Sequence, residues 1–366
     1  MVTIRRLIYR EVLTAIAFVT VGFLALFFFF DFVDELGNVG AGQGRYRLTH
    51  ALGYVLLLVP NHLYELLPIT VLIGTIFVMA RLAQSSEYTI LRTSGLGPWR
   101  ALRTLLVLGA AFSVLTIAVG DYLAPVADRT AQLLKARFQG SISVGQTGAW
   151  LKERRDGHTY TVNVGALSPE GTLQTVRIFE AGTDSRLHSA LAAEAAEFTR
   201  DGWRLLKVEQ RIFLQGADRM PQVALEQHAS LDWPTGLTAE MVSAALLRPD
   251  RMRTVDLFQY IRHLQSNGQA SQRYEIEFWR KLFYPLSCMV MVILALPFAY
   301  LHFRSGGITG YVFGGVLIGI SFFLLNNVFG YIGNLRAWSP WLTAAAPGLI
   351  YTLVSLGAFG WLVLRR

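Results

Sequence analysis

Six stretches of this sequence carry almost no charge over the length that a bilayer demands. They are Val12 to Phe30, Ala51 to Ala80 (broken by Glu65 alone), Thr104 to Gly120, Leu282 to Leu301, Ser305 to Leu335 and Ala337 to Leu364. A helix needs about 20 apolar residues to cross the hydrocarbon core, and a helix satisfies its own backbone hydrogen bonds there. Composition agrees. The chain is 53% hydrophobic and 16% charged, where a soluble domain carries about 25% charge, and its mean hydropathy is +0.40. The pattern predicts an integral membrane protein with three spans before residue 125 and three after residue 281.

Basic residues next to spans mark the cytoplasmic side. Arg5, Arg6, Arg10, Arg81, Arg92, Arg100, Arg103, Arg304, Arg365 and Arg366 fall on one side, opposed there only by Glu11 and Glu87. The short loops of the other side carry Asp31, Asp34, Glu35, Arg45, Arg47 and Arg336. Both termini and Glu87 are therefore expected in the cytoplasm, and the long segment between spans three and four outside. The first apolar run is too long for a secretory signal and no small-residue cleavage site follows it, so it is read as a retained span. Cys288 is the single cysteine, which excludes an intrachain disulfide and suits a bacterial periplasm. The net charge of +8 does not imply nucleic acid. Residues 125–253 hold 16 basic and 15 acidic residues, so the excess lies beside the spans, where topology explains it.

From about Trp150 the pattern turns from helical runs to alternation. In "ERRDGHTYTVNV" and "EFTRDGWRLLKV" an Asp-Gly pair separates alternating segments, a hairpin signal because both residues tolerate positive φ. Pro169-Glu170-Gly171 and Gly182-Thr183-Asp184 mark further turns. Short strands at this spacing predict a sandwich, jelly roll or open barrel. "TVDLFQYIRHLQ", Thr254 to Gln265, reads as an amphipathic helix ended by Gly268. The expected organisation is spans one to three in residues 1–124, a jellyroll-like β domain with its returning helix in 125–270, and spans four to six in 271–366. In fold class this is membrane α-helical plus all-β, α+β overall.

Few residues point to chemistry. There is no phosphate-binding Gly-x4-Gly-Lys-Ser/Thr loop and no nucleophile elbow, and His158, His188 and His228 are scattered without metal-ligand spacing. Within the spans the polar groups are Glu65, Asn326 and Asn327, with Asp121 at an edge. Pro285 and Pro297 should kink span four or mark its ends. In span five, Gly310/Gly314 and Gly315/Gly319 form two small-xxx-small pairs that let helices approach closely, either inside one bundle or against a second membrane subunit. Arg280 and Lys281, among Trp279, Phe283 and Tyr284, are interface anchors or contacts for an anionic lipid head group.

The loop "ARLAQSSEYTILRTSGLGPWRAL", Ala80 to Leu102, holds more than a reversal of direction requires. Ser85 or Ser86 is placed to cap a helix, Glu87 occupies its first turn and Gly95 lies just past its end. A capped helix over about 85–95, with Tyr88, Ile90 and Leu91 on its less polar side, has the form of a coupling helix that docks into a cytoplasmic ATPase. The alternative is a helix on the lipid surface, for which Arg92 is the one basic residue within 85–94.

With these features in place, "FVDELGNVG", "VPNHLYELLPITVLIG", "ARLAQSSEYTILRTSG" and "FWRKLFYPLSCMVMVILALPF" resemble the YjgP/YjgQ (LptF/LptG) permeases of lipopolysaccharide export, over nearly the whole chain. "LAQSSE" and "FVDEL" favour the G-type over the F-type. The resemblance implies pairing with an F-type permease, and a cytoplasmic ATPase homodimer that binds ATP and Mg, this chain holding no cofactor itself. It also implies a single-span helper, a periplasmic bridge protein and lipopolysaccharide as cargo. It places ATPase docking on Ser86, Glu87, Tyr88, Leu91 and Arg92, with Glu87 central. A cavity lysine of some relatives corresponds here to Asp31, so that contact does not carry over. Arg45, Arg47, Arg280 and Lys281 are then the candidate rim cations, and Gly310, Gly314, Gly315 and Gly319 the candidate partner-helix interface. Other readings of the residues are a different envelope-lipid or lipoprotein ABC permease, or a lipid-modifying membrane enzyme.

Overall fold

In the computed structural model, six helices among the described residues are long and apolar enough to cross a membrane: Ile4–Leu36, Leu48–Gln84, Pro98–Lys135, Gln272–Tyr300, Thr309–Leu335 and Pro340–Phe359. The structure describes residues 2–40, 46–139, 148–155, 157–168, 171–182, 186–215, 221–238, 241–242, 249–300 and 308–361. The chain divides into two units. One comprises Met1–Gly37, Val55–Ala127 and Glu275–Arg366, and the other Asn38–Tyr54 and Asp128–Tyr274.

In the helical unit, span one (α1, Val2–Leu36) and span two (α2, Leu48–Gln84) run antiparallel. Their register can be followed pair by pair. Arg81 donates to Glu11 at 2.6 Å, Thr20 bonds Thr70 at 3.0 Å, and His62 pairs with Asp31 at 2.6 Å. Between the first two, a Cβ on Gly74 would lie 2.8 Å from the Ile16 Cα, so the backbones touch there and only glycine fits. The reversing loop carries a short helix, α3 (Glu87–Thr93).

Span three is α4 (Pro98–Ala118), one π turn (Val119–Leu123) and α5 (Ala124–Gln139). Span four is cut where its prolines predict. α6, Thr254–Ser266, precedes it in the other unit, and the span itself runs as α7 (Gln272–Phe283), a 3-10 turn at Tyr284–Leu286, α8 (Ser287–Ala295) and a 3-10 segment at Leu296–Tyr300. Pro285 and Pro297 remove backbone donors, and the tighter 3-10 bonds close those gaps. Spans five and six are α9 (Ile308–Leu335) and α10 (Pro340–Phe359). Spans two and four are the most buried, with Val71, Leu72 and Ile76 of the one and Cys288, Met291, Val292, Ala295 and Leu296 of the other fully buried. Spans one and five bury few of their apolar side chains and leave many exposed, among them Phe18, Phe30, Phe313 and Leu317. In a chain that crosses a membrane these faces meet lipid or another helix.

The second unit is built on six antiparallel strands: β1 (Ala149–Arg155), β2 (His158–Leu167), β3 (Leu173–Ala181), β4 (Leu187–Thr199), β5 (Gly202–Gln215) and β6 (Pro221–Pro234). They follow one another in chain order in an uncrossed sheet that is not closed. Helices plus sheet make the chain α+β overall. The alternation slips once in each of three central strands. Leu173 is followed inward by Val176, Ala193 by Ala196 and Leu205 by Val208. Thr175 and Lys207 sit at the slip with φ of 53° and 50°. The extra residues lie at one level, so pairs on either side stay in one register, as with Val164↔Val176 and Ala166↔Gln174. Among the described residues, the one register shift in the sheet's pairing lies elsewhere, between Glu180 and Ala181 of β3.

The hairpin between β4 and β5 differs from expectation by one residue. Thr199 pairs with Gly202, so Arg200 and Asp201 form the turn. Gly202 is needed instead for close approach, since a Cβ there would lie 2.3 Å from the Trp233 carbonyl oxygen. Two side chains link the sheet's outer strands. Glu153 of β1 accepts from Thr235 Oγ1 at 2.6 Å and from the Gly236 N–H at 2.8 Å, and Arg155 donates to the Pro234 carbonyl. The α6 helix ends as expected at Gly268 (φ 61°), with the Gln269 N–H reaching the Leu264 carbonyl at 2.8 Å.

Candidate functional site

The loop helix α3 is set by its ends. Gly95 (φ 98°) bonds back to the Arg92 carbonyl at 3.1 Å and Leu96 to the Leu91 carbonyl at 3.0 Å. This is the paired closure that a glycine just past a helix allows, and Leu96 buries its side chain beside it. The start is different from expectation. Ser86 takes a left-handed conformation (φ 59°) and its hydroxyl caps nothing, while the Ser85 hydroxyl turns back to the Arg81 carbonyl at 3.1 Å. The helix consequently has seven residues.

Its two faces have separate employments. Tyr88 is 3% exposed and packs into the core of the helical unit, so it is not offered to a partner, contrary to the sequence-based expectation. Burial, with the neighbouring Tyr300 hydroxyl, pushes its phenol pKa up. Leu91 is half-buried against the same core. Ser86, Glu87 and Arg92 are exposed. Ile90, which sequence reasoning left out of the docking set, is 63% exposed. Its spacing from Glu87 (i, i+3) was the available signal. Trp99 is 65% exposed, its ring beside Phe359 at 5.7 Å. Glu87 and Ile90 thus give α3 an outward face of one acid and one large apolar group.

The expected rim cations have other partners. Arg280 donates to the Asn326 carbonyl of span five at 3.0 Å and lies 3.3 Å from Glu277. Gly330 admits it, because a Cβ there would meet the guanidinium at 2.2 Å. Lys281 is buried and donates to the Gly120 carbonyl at 3.2 Å. Gly120 lies in the π turn of span three, where the regular ladder is broken and a carbonyl is left for another donor. Both cations therefore bind helices of this chain together. Arg47 is exposed in the other unit, and Arg45 lies outside the described residues. Asp31 is occupied by His62.

The glycines of span five also divide. A Cβ on Gly315 would meet the Ile76 side chain at 2.9 Å, and one on Gly319 the Ile69 side chain at 2.7 Å, so this pair seats span five on span two. Gly310 and Gly314 have open space where their side chains would be. Of the polar groups within the spans, Glu65 accepts from Asn61 at 3.0 Å and Asn326 donates to the Phe322 carbonyl at 3.0 Å.

Six spans, a sheet unit between the third and fourth, and a short outward-facing loop helix are the features to set beside known proteins. The model of the family "Lipopolysaccharide export system permease LptF/LptG" matches residues 6–365. The chain belongs to the LptF/LptG family. Among its relatives, the lipopolysaccharide export system permease protein LptG of Escherichia coli (strain K12) is 29% identical over 365 residues, 99% of this chain and 98% of that protein. The LptG protein of Haemophilus influenzae is 26% identical over 368 residues, covering 100% and 99%. An LptF/LptG permease is a subunit of a transporter, and this one is a multi-pass membrane protein.

Proposed function

We propose that this chain is the G-type permease subunit of an ABC-type exporter that takes lipopolysaccharide out of the bacterial inner membrane. In this reading both termini and α3 are cytoplasmic and the sheet unit is periplasmic. An F-type permease pairs with it, and a cytoplasmic ATPase homodimer binds and hydrolyses ATP with Mg. A single-span helper and a periplasmic bridge protein complete the path towards the outer membrane. The observation that carries the reading is α3. It is anchored through Tyr88 and leaves Glu87 and Ile90 facing outward, the arrangement a docking helix needs.

The cargo cations are open to reassignment. Arg280 and Lys281 are engaged within the bundle, so the lipid's phosphates draw on Arg47, Arg45 or the partner subunit. The test is purification in mild detergent followed by mass spectrometry. Wild-type chain should bring down a soluble ATPase and a second six-span permease, and Glu87→Arg should lose the ATPase while keeping the permease. Recovery of the chain alone would overturn the proposal.

A further inference from the structure

Of the seven residues of α3, only Tyr88 is buried. Its ring meets that of Tyr300 edge-on, with centroids 5.2 Å apart and planes at 71°, and its hydroxyl donates to the Tyr300 hydroxyl at 3.1 Å. Arg92, one turn further along α3, lies over the same Tyr300 ring at 5.8 Å. Tyr300 is itself 6% exposed and ends the 3-10 segment that closes span four. Two side chains on the face of α3 turned away from Glu87 and Ile90 therefore converge on one ring of span four. At its other end, span four is fastened to span five, where Arg280 reaches the Asn326 carbonyl beside Gly330.

A close-packed, hydrogen-bonded aromatic pair cannot slide without opening a void. A displacement of α3 is thus handed on to span four rather than absorbed at the contact. We propose that Tyr88 and Tyr300 are positioning residues forming a rigid joint, through which a push on α3 moves span four and, by way of Arg280, span five. The inference rests on the reading of α3 as the ATPase contact. It adds the side chains that pass the movement inward and the span that receives it.

The experiment uses the complete complex with its ATPase and second permease in proteoliposomes containing lipopolysaccharide, reading lipid released per ATP hydrolysed. Tyr88→Ala and Tyr300→Ala should each lower that ratio by about fivefold with ATPase content unchanged. The double variant should be no worse than either single one, because both remove one contact. Tyr88→Phe, which keeps the ring and the fold, should restore the ratio to within about twofold. An unchanged ratio, additive losses, or loss of bound ATPase in Tyr88→Ala would each overturn the joint. Failure of the underlying reading is distinct: wild-type complex would lack the ATPase, or Glu87→Arg would retain it.

Discussion

His263, in α6, is a titratable group outside the spans. Burial lowers its pKa, with Glu153 opposing, and its Nε2 is buried without a hydrogen-bond partner among the described residues. A histidine held neutral in the fold stabilises it above the unfolded pKa of about 6.5, and that contribution fades as pH falls from there towards the lowered folded value. Hydrogen exchange of the full chain in detergent should show α6 and β1 losing protection between about pH 7 and about pH 5. His263→Gln should flatten that dependence. Lys281 makes a second case. Its ammonium serves the carbonyl released by the π turn at Gly120, so Lys281→Met should cost about 1–3 kcal/mol, read as a lower Tm of the purified chain. The sequence shows Lys281 as a cation among aromatics, which is also what a lipid contact looks like. The π turn that claims it is invisible without the fold, because no local residue pattern requires one.

At the scale of elements, span five offers two glycine pairs with opposite expectations. Gly315→Leu drives into Ile76, so the chain itself should lose stability, with a lower Tm before any partner is added. Gly310→Leu meets open space, so the chain should keep its Tm but recover less of the second permease on purification. Equal effects on both readouts would contradict this division. Spacing alone gives the pairs and not their faces, which depend on how span five is rotated against span two. The spans themselves are legible, since a water-soluble fold rarely tolerates six charge-free runs of bilayer length. The end of α3 at Gly95 is legible for a similar reason, as only glycine takes that conformation cheaply. Its start is not, because Ser86 replaces a side-chain cap with a left-handed turn. In the sheet, strict alternation breaks at Thr175 and Lys207. Neither is glycine, so nothing in their type announces the left-handed backbone there.

For the whole molecule, the positive-inside bias of the loops predicts an orientation that can be tested directly. In a Cys288→Ala background, an impermeant thiol reagent applied to intact cells with a permeabilised outer membrane should label Gln227→Cys. It should reach Ser94→Cys only after the inner membrane is broken. The reverse order would invert the topology and take α3 away from any cytoplasmic ATPase. The most direct measurement of export itself is transfer of lipopolysaccharide from proteoliposomes to a soluble periplasmic acceptor. The vesicles would hold this chain, an F-type permease and the ATPase. Transfer should require ATP and all three proteins, and should be lost with Glu87→Arg. Transfer that proceeds without this chain, or that survives Glu87→Arg undiminished, would contradict its role as the G-type permease.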